Sequence, residues 1–525
     1  MDAARRVFLA RTTRFAGLAA AGFAFPGDEV LARAPGPGYP FGLGVASGSP
    51  LPDAVVLWTR IIANPLDPAS TAPVALTVRW EMAADEGFRR VVANGSAAAL
   101  PQLAHSVHVD VRGLEPGRWY WYRFMLGDAV SPTGRTRTAP AAGTLPGSLK
   151  LAVASCQHWE FGSYAAHRHI ASASPDLVAF LGDYIYEWGA YTLDHPQRAR
   201  RVSESFTLED YRRRYAQYKS DRNLQAAHHA APWIVTWDDH EVANDYAGDR
   251  DERLDARFRQ RRAAAYQAFY EHMPIRIIAR EGDYANARVY QRYDWGRLAR
   301  IHVLDSRQYR SAQACTPSHR GGSTSVWRQA CAALADPGRS LLGGAQEAWL
   351  DEGLRGSGAR WNLVAQQTLM AQSTQTRIVR AADGRFWTDG WDGYSAARAR
   401  LLDSLRGVSN PVVLGGDVHT FYANELRPDF SRPVSSANPV VATEFVGTSV
   451  TSGSRPQART DQYVEMNPHV KYGRSDRRGF MLMDITPGET RTTFLGLDDV
   501  RDERSGIAAL AAFRVRDGRP GPEQI

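Results

Sequence analysis

Residues 175–187 read PDLVAFLGDYIYE. Leu177 to Leu181 is an unbroken apolar run that stops at Gly182-Asp183. A short run without alternation reads as a strand buried on both faces, as in a parallel sheet covered by helices. The carboxylate after it sits where α/β sheets bind ligands, outside the carboxyl ends of the strands. The pattern recurs along the chain. LKLAVASC runs into Ser155-Cys156-Gln157, and APWIVTWDDHE into Trp237-Asp238-Asp239-His240-Glu241 with Asn244 close behind. RIHVLDSRQYR ends at Asp305-Ser306-Arg307, ARWNLVAQQT is a fifth strand, and NPVVLGGDVH ends at Gly416-Asp417-Val418-His419. Buried strands do not tolerate so many polar ends without compensation. One such end is explained by a helix cap; five together point to a site.

Helical stretches separate these strands. Thr207 and Asp210 offer a capping box ahead of a helix with Leu208, Tyr211, Tyr215 and Tyr218 on one face. DARFRQRRAAAYQAFYEHM is a second helix, and AQEAWLDEGLRGS a third, ended by Gly356. The expected core is therefore α/β. Residues 38–140 differ in style. Val107, Val109 and Val111 alternate with His108 and Asp110, and Tyr120, Tyr122 and Phe124 alternate with Trp119, Trp121 and Arg123. Period-two strands split by Pro and Gly predict a small all-β immunoglobulin/fibronectin-like sandwich. Residues 148–500 then form the α/β catalytic part. Residues 501–525 read as a C-terminal helix and tail, with Ile507, Leu510 and Phe513 on one side, placed as an active-site lid. His105 and His108 are expected on the strand surface. His167 and His169 are expected in packing or surface roles, His228-His229 in a solvated loop, and Arg198–Arg201 and Arg212–Arg214 on a solvated helix face.

The chain has 525 residues, 44% hydrophobic and 23% charged, with 45 glycines and 29 prolines. That composition suits a soluble globular protein and excludes collagen-like and wholly disordered chains. The net charge of +7 is carried almost entirely by arginine, scattered among carboxylates. With no basic run and no aromatic-basic stripe, nucleic acid is not the expected main partner. Residues 1–34 begin MDAARRVFLARTTRFAGLAAAGFAF. A twin arginine, x-Phe-Leu and a short apolar run read as a twin-arginine (Tat) signal, so the expected partner is the Tat machinery and the expected location periplasmic or secreted. No apolar run reaches the ~18 residues of a membrane span. Cys315 and Cys331 bracket a polar loop and are a natural pair in an oxidising compartment; closing a loop of that length contributes ~3 kcal/mol in the chain-entropy model. Cys156 is left over at a strand end.

The donor types point to metals. A carboxylate, a phenolate, a thiolate and an imidazole together suit a ferric ion, because three anionic donors balance a 3+ charge. Asp183, Tyr186, Cys156 and His419 supply that set. Asp238, Asp239 and Asp417 add hard oxygens suited to Ca²⁺, Mg²⁺ or Mn²⁺, with Asp183 as a bridge. Two such ions can hold an attacking hydroxide and the oxygens of a phosphate in in-line displacement. Arg307 is a candidate phosphate clamp, since guanidinium matches phosphate oxygens bidentately.

GDxxY at Gly182–Tyr186 resembles the signature of the calcineurin-like and purple-acid-phosphatase superfamily of metallophosphoesterases. The later motifs depart from it, with Asp238-Asp239-His240-Glu241 in place of Asn-His-Glu/Asp and Gly416-Asp417-Val418-His419 in place of Gly-His-x-His. These swaps favour oxygen donors. With FGLGVASGSPLPDAVVLWTR, SCQHWEFGSY, WDDHEVANDY, LDSRQYR and GGDVH in order, the chain resembles the PhoD-like alkaline phosphatases over about residues 38–500. The resemblance implies an α/β sandwich of two sheets flanked by helices. It also implies one Fe³⁺ with one or two Ca²⁺, and a small phosphate-ester substrate. Iron would be held by Cys156, Asp183, Tyr186 and His419. Calcium would be held by Asp183, Asp417 and the Asp238/Asp239 pair, of which Asp239 aligns better. His240 and Asn244 would contact phosphate or stand behind the ligands. The expected activity is monoester hydrolysis by a monomer. Phosphodiesterase action, including a phospholipase D-like one, is the alternative. A non-catalytic exported binding protein would leave the strand-end residues without a purpose.

Overall fold

A computed structural model describes residues 38–67, 70–189, 203–276, 283–380 and 382–525. The export signal read at 1–34 and the arginine run at 198–201 lie outside these residues.

Two large sheets carry the structure. In the ten-stranded sheet, Leu149–Ala154, Leu177–Leu181, Trp233–Thr236 and Val45–Gly48 are parallel neighbours in that order. In the seven-stranded sheet the parallel strands are Ala299–Val303, Trp361–Ala365, Pro411–Gly415 and Ala442–Val446. The sheets pack face to face. Leu177, Ala179 and Leu181 join Leu149, Leu151 and Val153 in one core with Ile301, Val303, Leu363, Val412 and Leu414. Val178 and Phe180, one residue out of phase, point the other way into a helix-covered core with Tyr211, Tyr215, Tyr218, Leu224 and Phe269. On the far side, Val364 and Val413 meet Leu350, Leu354 and Leu401 from helices Gly344–Arg355 and Ser395–Ser404. The layers are thus helix, sheet, sheet, helix. Each fully buried Leu or Phe contributes about 1.5–3 kcal/mol, which is why strands apolar on both faces fill the centre. The capping box forms, with Thr207 and Asp210 bonding each other's backbone N–H at the start of Leu208–Lys219.

Several expectations need correction. The strands expected in the N-terminal sandwich divide between two sheets, one of them shared with the α/β core. Val45–Gly48, Ala54–Arg60 and Ser106–Arg112 are the last three strands of the ten-stranded sheet. Only Leu76–Ala83, Val91–Ala99, Trp119–Leu126, Ala129–Val130 and Gly134–Arg137 form the second layer, packed over Val55, Leu57, Val107 and Val111. The outer face of the shared strands is covered by helix Phe258–His272. His108 accordingly stacks on Tyr270 at 4.4 Å and lies 3.0 Å from the Met273 carbonyl oxygen, and His105 is buried against the Val74 carbonyl.

The C-terminal helix is a hairpin instead, Ile507–Arg516 with Arg519–Gln524 at the edge of the ten-stranded sheet. Ala511, Phe513 and Val515 alternate with Ala512, Arg514 and Arg516, and Asp517-Gly518 is a hairpin turn with Gly518 at φ 71°. The period-two signal outweighs the helical spacing of Ile507, Leu510 and Phe513, so the segment completes the sheet and is not a helical lid. His228 and His229 lie in helix Arg222–Ala230, not a solvated loop. His228 stacks on Trp233 at 3.9 Å, and His229 accepts from Val45 N–H at 3.3 Å. Arg212 grips the buried Glu271 and Arg214 is buried on the Trp188 and Ser203 carbonyls, so neither belongs to a solvated face. His167 packs inside, 2.6 Å from Gln157 Oε1. Cys315 and Cys331 form a disulfide.

Candidate metal centre

The parallel strands of both sheets end at one place. Gln367, just past Trp361–Ala365, ties them together: its Nε2 donates to Thr236 Oγ1 at 2.9 Å and to the Trp237 and Leu304 carbonyls at 2.8 Å. Chain direction reverses sharply there. Cys156, Asp183, Asp417 and His419 all have positive φ, between 52° and 62°, an uncommon conformation for side chains that clusters at functional sites. Gly182 has φ 98°, and a Cβ on it would fall 2.5 Å from Asp238 Cβ, so only glycine lets the two strand ends approach this closely.

The structure brings the sequence candidates together in two overlapping groups. Ligand atoms of Cys156, Asp183 and His419 lie within 4.8 Å of one another, as do those of Asp183, Asp239 and His240. Asp183 belongs to both. Tyr186 adjoins the first group, with its hydroxyl donating to Asp183 Oδ2 at 2.9 Å and lying 3.3 Å from His419 Nε2. His419 Nδ1 is 2.6 Å from the Gly453 carbonyl oxygen, an acceptor, so the proton belongs on Nδ1 and a lone pair on Nε2 faces the cluster. Asp183 Oδ1, Asp239 Oδ1 and Asp417 Oδ2 are buried with no hydrogen-bond partner among the described residues. Orphaned carboxylate oxygens at such depth are costly unless a cation or a proton meets them. A thiol, a phenol, an imidazole lone pair and three carboxylate oxygens without hydrogen bonds, one of them 3.4 Å from Arg307 Nη2, are the donor set a mixed pair of cations needs, so the residues fit such a group.

The electrostatics agree. Burial pushes the Asp183 carboxyl well above its usual range, with Asp238 and Asp239 adding to the rise. Burial likewise raises Asp238 and Asp417. The Cys156 thiol and the Tyr186 phenol are raised by burial and then by Asp183. Without cations these anions must take up protons. Burial also tends to raise Asp239, but Arg307 and His240 outweigh it and hold it ionised, down to about 2. Burial alone would lower His240; Asp239, Glu187 and Asp183 outweigh it and keep the imidazole protonated.

Three groups arise from residues the sequence reading passed over. Glu187 Oε2 lies 2.8 Å from His240 Nδ1, and its Oε1 accepts from Asn244 N–H at 2.6 Å. Glu241 joins two strand ends, accepting from Asp183 N–H at 3.1 Å, Tyr184 N–H at 2.5 Å and Asp238 N–H at 2.7 Å. Ser452 Oγ sits 2.7 Å from the Tyr186 hydroxyl. Glu187 and Glu241 each complete a motif already read for its other residues; Ser452 carries no local signal.

Arg307 requires a correction. Its side chain is 1% exposed and pairs with Asp238 and with Asp389 at 2.7 Å, with Asp239 3.4 Å away. A guanidinium so enclosed braces carboxylates and is not a free fork for phosphate. Asn244 is half-buried and its side chain hydrogen-bonds Glu252.

Family comparison decides the chain's kinship. A model described as PhoD-like phosphatase matches residues 151–494, and one described as its N-terminal domain matches residues 29–140. The chain belongs to the PhoD-like phosphatase family. It is 42% identical to alkaline phosphatase D of Bacillus subtilis (strain 168) over 498 residues, covering 93% of this chain and 82% of that one. It superposes on a solved structure described as that of PhoD with a TM-score of 0.86 and 42% identity, covering 93% and 92% of the two chains. The chain is accordingly a phosphatase. Among the described residues no helix is long and apolar enough to cross a membrane.

Proposed function

We propose that this phosphatase hydrolyses phosphate monoesters at a metal centre built on the strand ends, on a core of the metallophosphoesterase type. The observation that carries the reading is the convergence of Asp183 Oδ1, Asp239 Oδ1 and Asp417 Oδ2, buried and without hydrogen-bond partners among the described residues, beside Cys156 and His419. Cys156, Asp183, Tyr186 and His419 would hold Fe³⁺. Asp183, Asp239 and Asp417 would hold Ca²⁺, with Asp238 turned towards Arg307. When bound, such ions lower the pKa of a coordinated water and offset charge on the phosphoryl oxygens.

The chain's own groups do the rest. Glu187 fixes His240 through Nδ1, leaving Nε2 beside Asp183 and Asp239 as a proton donor to the phosphate ester. Glu241 holds the Asp183 and Asp238 backbones in register. Gly453 keeps the His419 proton away from the cluster. The twin arginine at Arg5-Arg6 supports Tat export to the periplasm or beyond.

The test compares p-nitrophenyl phosphate with bis-p-nitrophenyl phosphate, each with added Ca²⁺ and after chelation. A chelator-sensitive preference for the monoester is expected. Preference for the diester would overturn the monoester assignment, and rates indifferent to chelation in protein shown to have lost its metals would overturn the metal centre.

A further inference from the structure

A buried guanidinium is costly unless its charge is met on every side. Arg307 meets Asp238 through Nε and Asp239 through Nη2 on the side of the cluster. On the opposite side Nη1 lies 2.7 Å from Asp389 Oδ2. Asp389 is itself 1% exposed, and its Oδ1 accepts from Arg310 Nη1 and Gln313 Nε2, each at 2.7 Å. It stands just past strand Arg385–Trp387, which pairs with Ser325–Trp327 inside the loop closed by Cys315 and Cys331. Gln313 also donates to the Asp245 carbonyl at 2.7 Å, and Ser323 N–H to Asp245 Oδ2 at 3.0 Å. Asp245 N–H in turn donates to Asp239 Oδ2 at 2.6 Å. A peripheral ribbon therefore reaches the back of the acid pair at two points, through Arg307 and through Asp245.

We propose that Asp389 is a positioning residue for the phosphatase reaction: by meeting the Arg307 guanidinium from behind, it holds Arg307 in place and offsets its charge, so that Asp239 stays oriented towards a divalent cation. The inference rests on the metal-centre reading above. Asp389 belongs to neither group of converging ligand atoms and meets the acid pair through Arg307. Without its charge, the full positive charge of Arg307 falls on Asp238, Asp239 and Asp417 and opposes a cation there. The effect therefore belongs to cation affinity first and to turnover second.

The experiment titrates Ca²⁺ calorimetrically into the metal-depleted full chain and follows the calcium dependence of p-nitrophenyl phosphate hydrolysis. Asp389→Asn is expected to weaken calcium binding by about 10–100-fold, the usual range for partners that orient ligands. The rate at saturating calcium should fall much less, and Asp389→Glu should recover most of the affinity. Gln313→Leu, which removes one hydrogen bond to Asp389 and one to the Asp245 carbonyl, should weaken calcium by a few-fold and serves if Asp389→Asn does not fold. Wild-type calcium affinity in a folded Asp389→Asn protein, or in Gln313→Leu where it must serve, overturns the proposal, as does a lost turnover with unchanged affinity. If the wild type binds no calcium yet hydrolyses phosphate, the metal-centre reading falls and this inference with it. Calcium-dependent wild type with an unaffected Asp389→Asn sinks the inference alone.

Discussion

Gly182→Ala is the sharpest test of how the strand ends are assembled. The new Cβ would lie 2.5 Å from Asp238 Cβ and 2.8 Å from Asp238 N. Ordinary carbon contacts begin near ~3.5 Å, so the Asp183 and Asp238 loops must part by about 1 Å. The flexible end of a side chain cannot yield here, because Asp238 meets the intruding atom through its backbone and Cβ. Alanine at φ 98° adds about 1–2 kcal/mol of backbone strain. Together the terms predict about 2–4 kcal/mol of lost stability. A displacement of that size at the reacting groups predicts a fall of about 100-fold in kcat/KM. Calorimetric unfolding of the full chain, monoester hydrolysis and metal content are measured on the same preparation. A variant with the parent's midpoint, and a rate within twofold of it, would refute the claim that close approach of these two ends builds the site.

Glu187→Gln keeps the shape of the His240 partner but removes its charge. One face of the amide would then oppose either His240 Nδ1–H or Asn244 N–H. A hydrogen bond between charged groups is worth about 1.5–3 kcal/mol, so kcat should fall by about 10–150-fold with KM little changed; a kcat at the parental level would contradict the role given to His240. Lys219 is buried beside Trp58 and 3.5 Å from His228, and burial drives its pKa well below the ordinary lysine value. The unfolded chain therefore binds a proton that the folded one does not, and stability rises with pH towards the unfolded value. Lys219→Met should stabilise the fold by about 1–2 kcal/mol at pH 7, the gain shrinking towards pH ~10; calorimetric unfolding at both pH values checks it, and a gain that grows with pH contradicts it.

The core strands were legible because a strand buried on both faces must be apolar throughout, as in Leu177–Leu181 and Pro411–Gly415. The cluster was legible because polar residues at strand ends have few other uses. What escaped was information that sequence neighbours do not carry. Val45–Gly48 looks like any sandwich strand, and nothing local says that it pairs with Trp233–Thr236. His108 reads as an outward residue until helix Phe258–His272 covers it. Ile507–Arg516 satisfies both periods, and only the Asp517-Gly518 turn separates them. Arg310 and Asp389 lie 79 positions apart in sequence, and Arg307 lies farther still from Asp389, so no motif search couples them.

The central claim is that the converging strand-end residues are the metal centre of this phosphatase. The direct measurement is metal content per chain together with p-nitrophenyl phosphate hydrolysis, in the wild type and in Asp183→Asn, the residue shared by both ligand groups. The account predicts a wild type that carries metal and loses activity on chelation, and a folded Asp183→Asn protein depleted in metal and essentially inactive. Full activity with wild-type metal content in folded Asp183→Asn would contradict it.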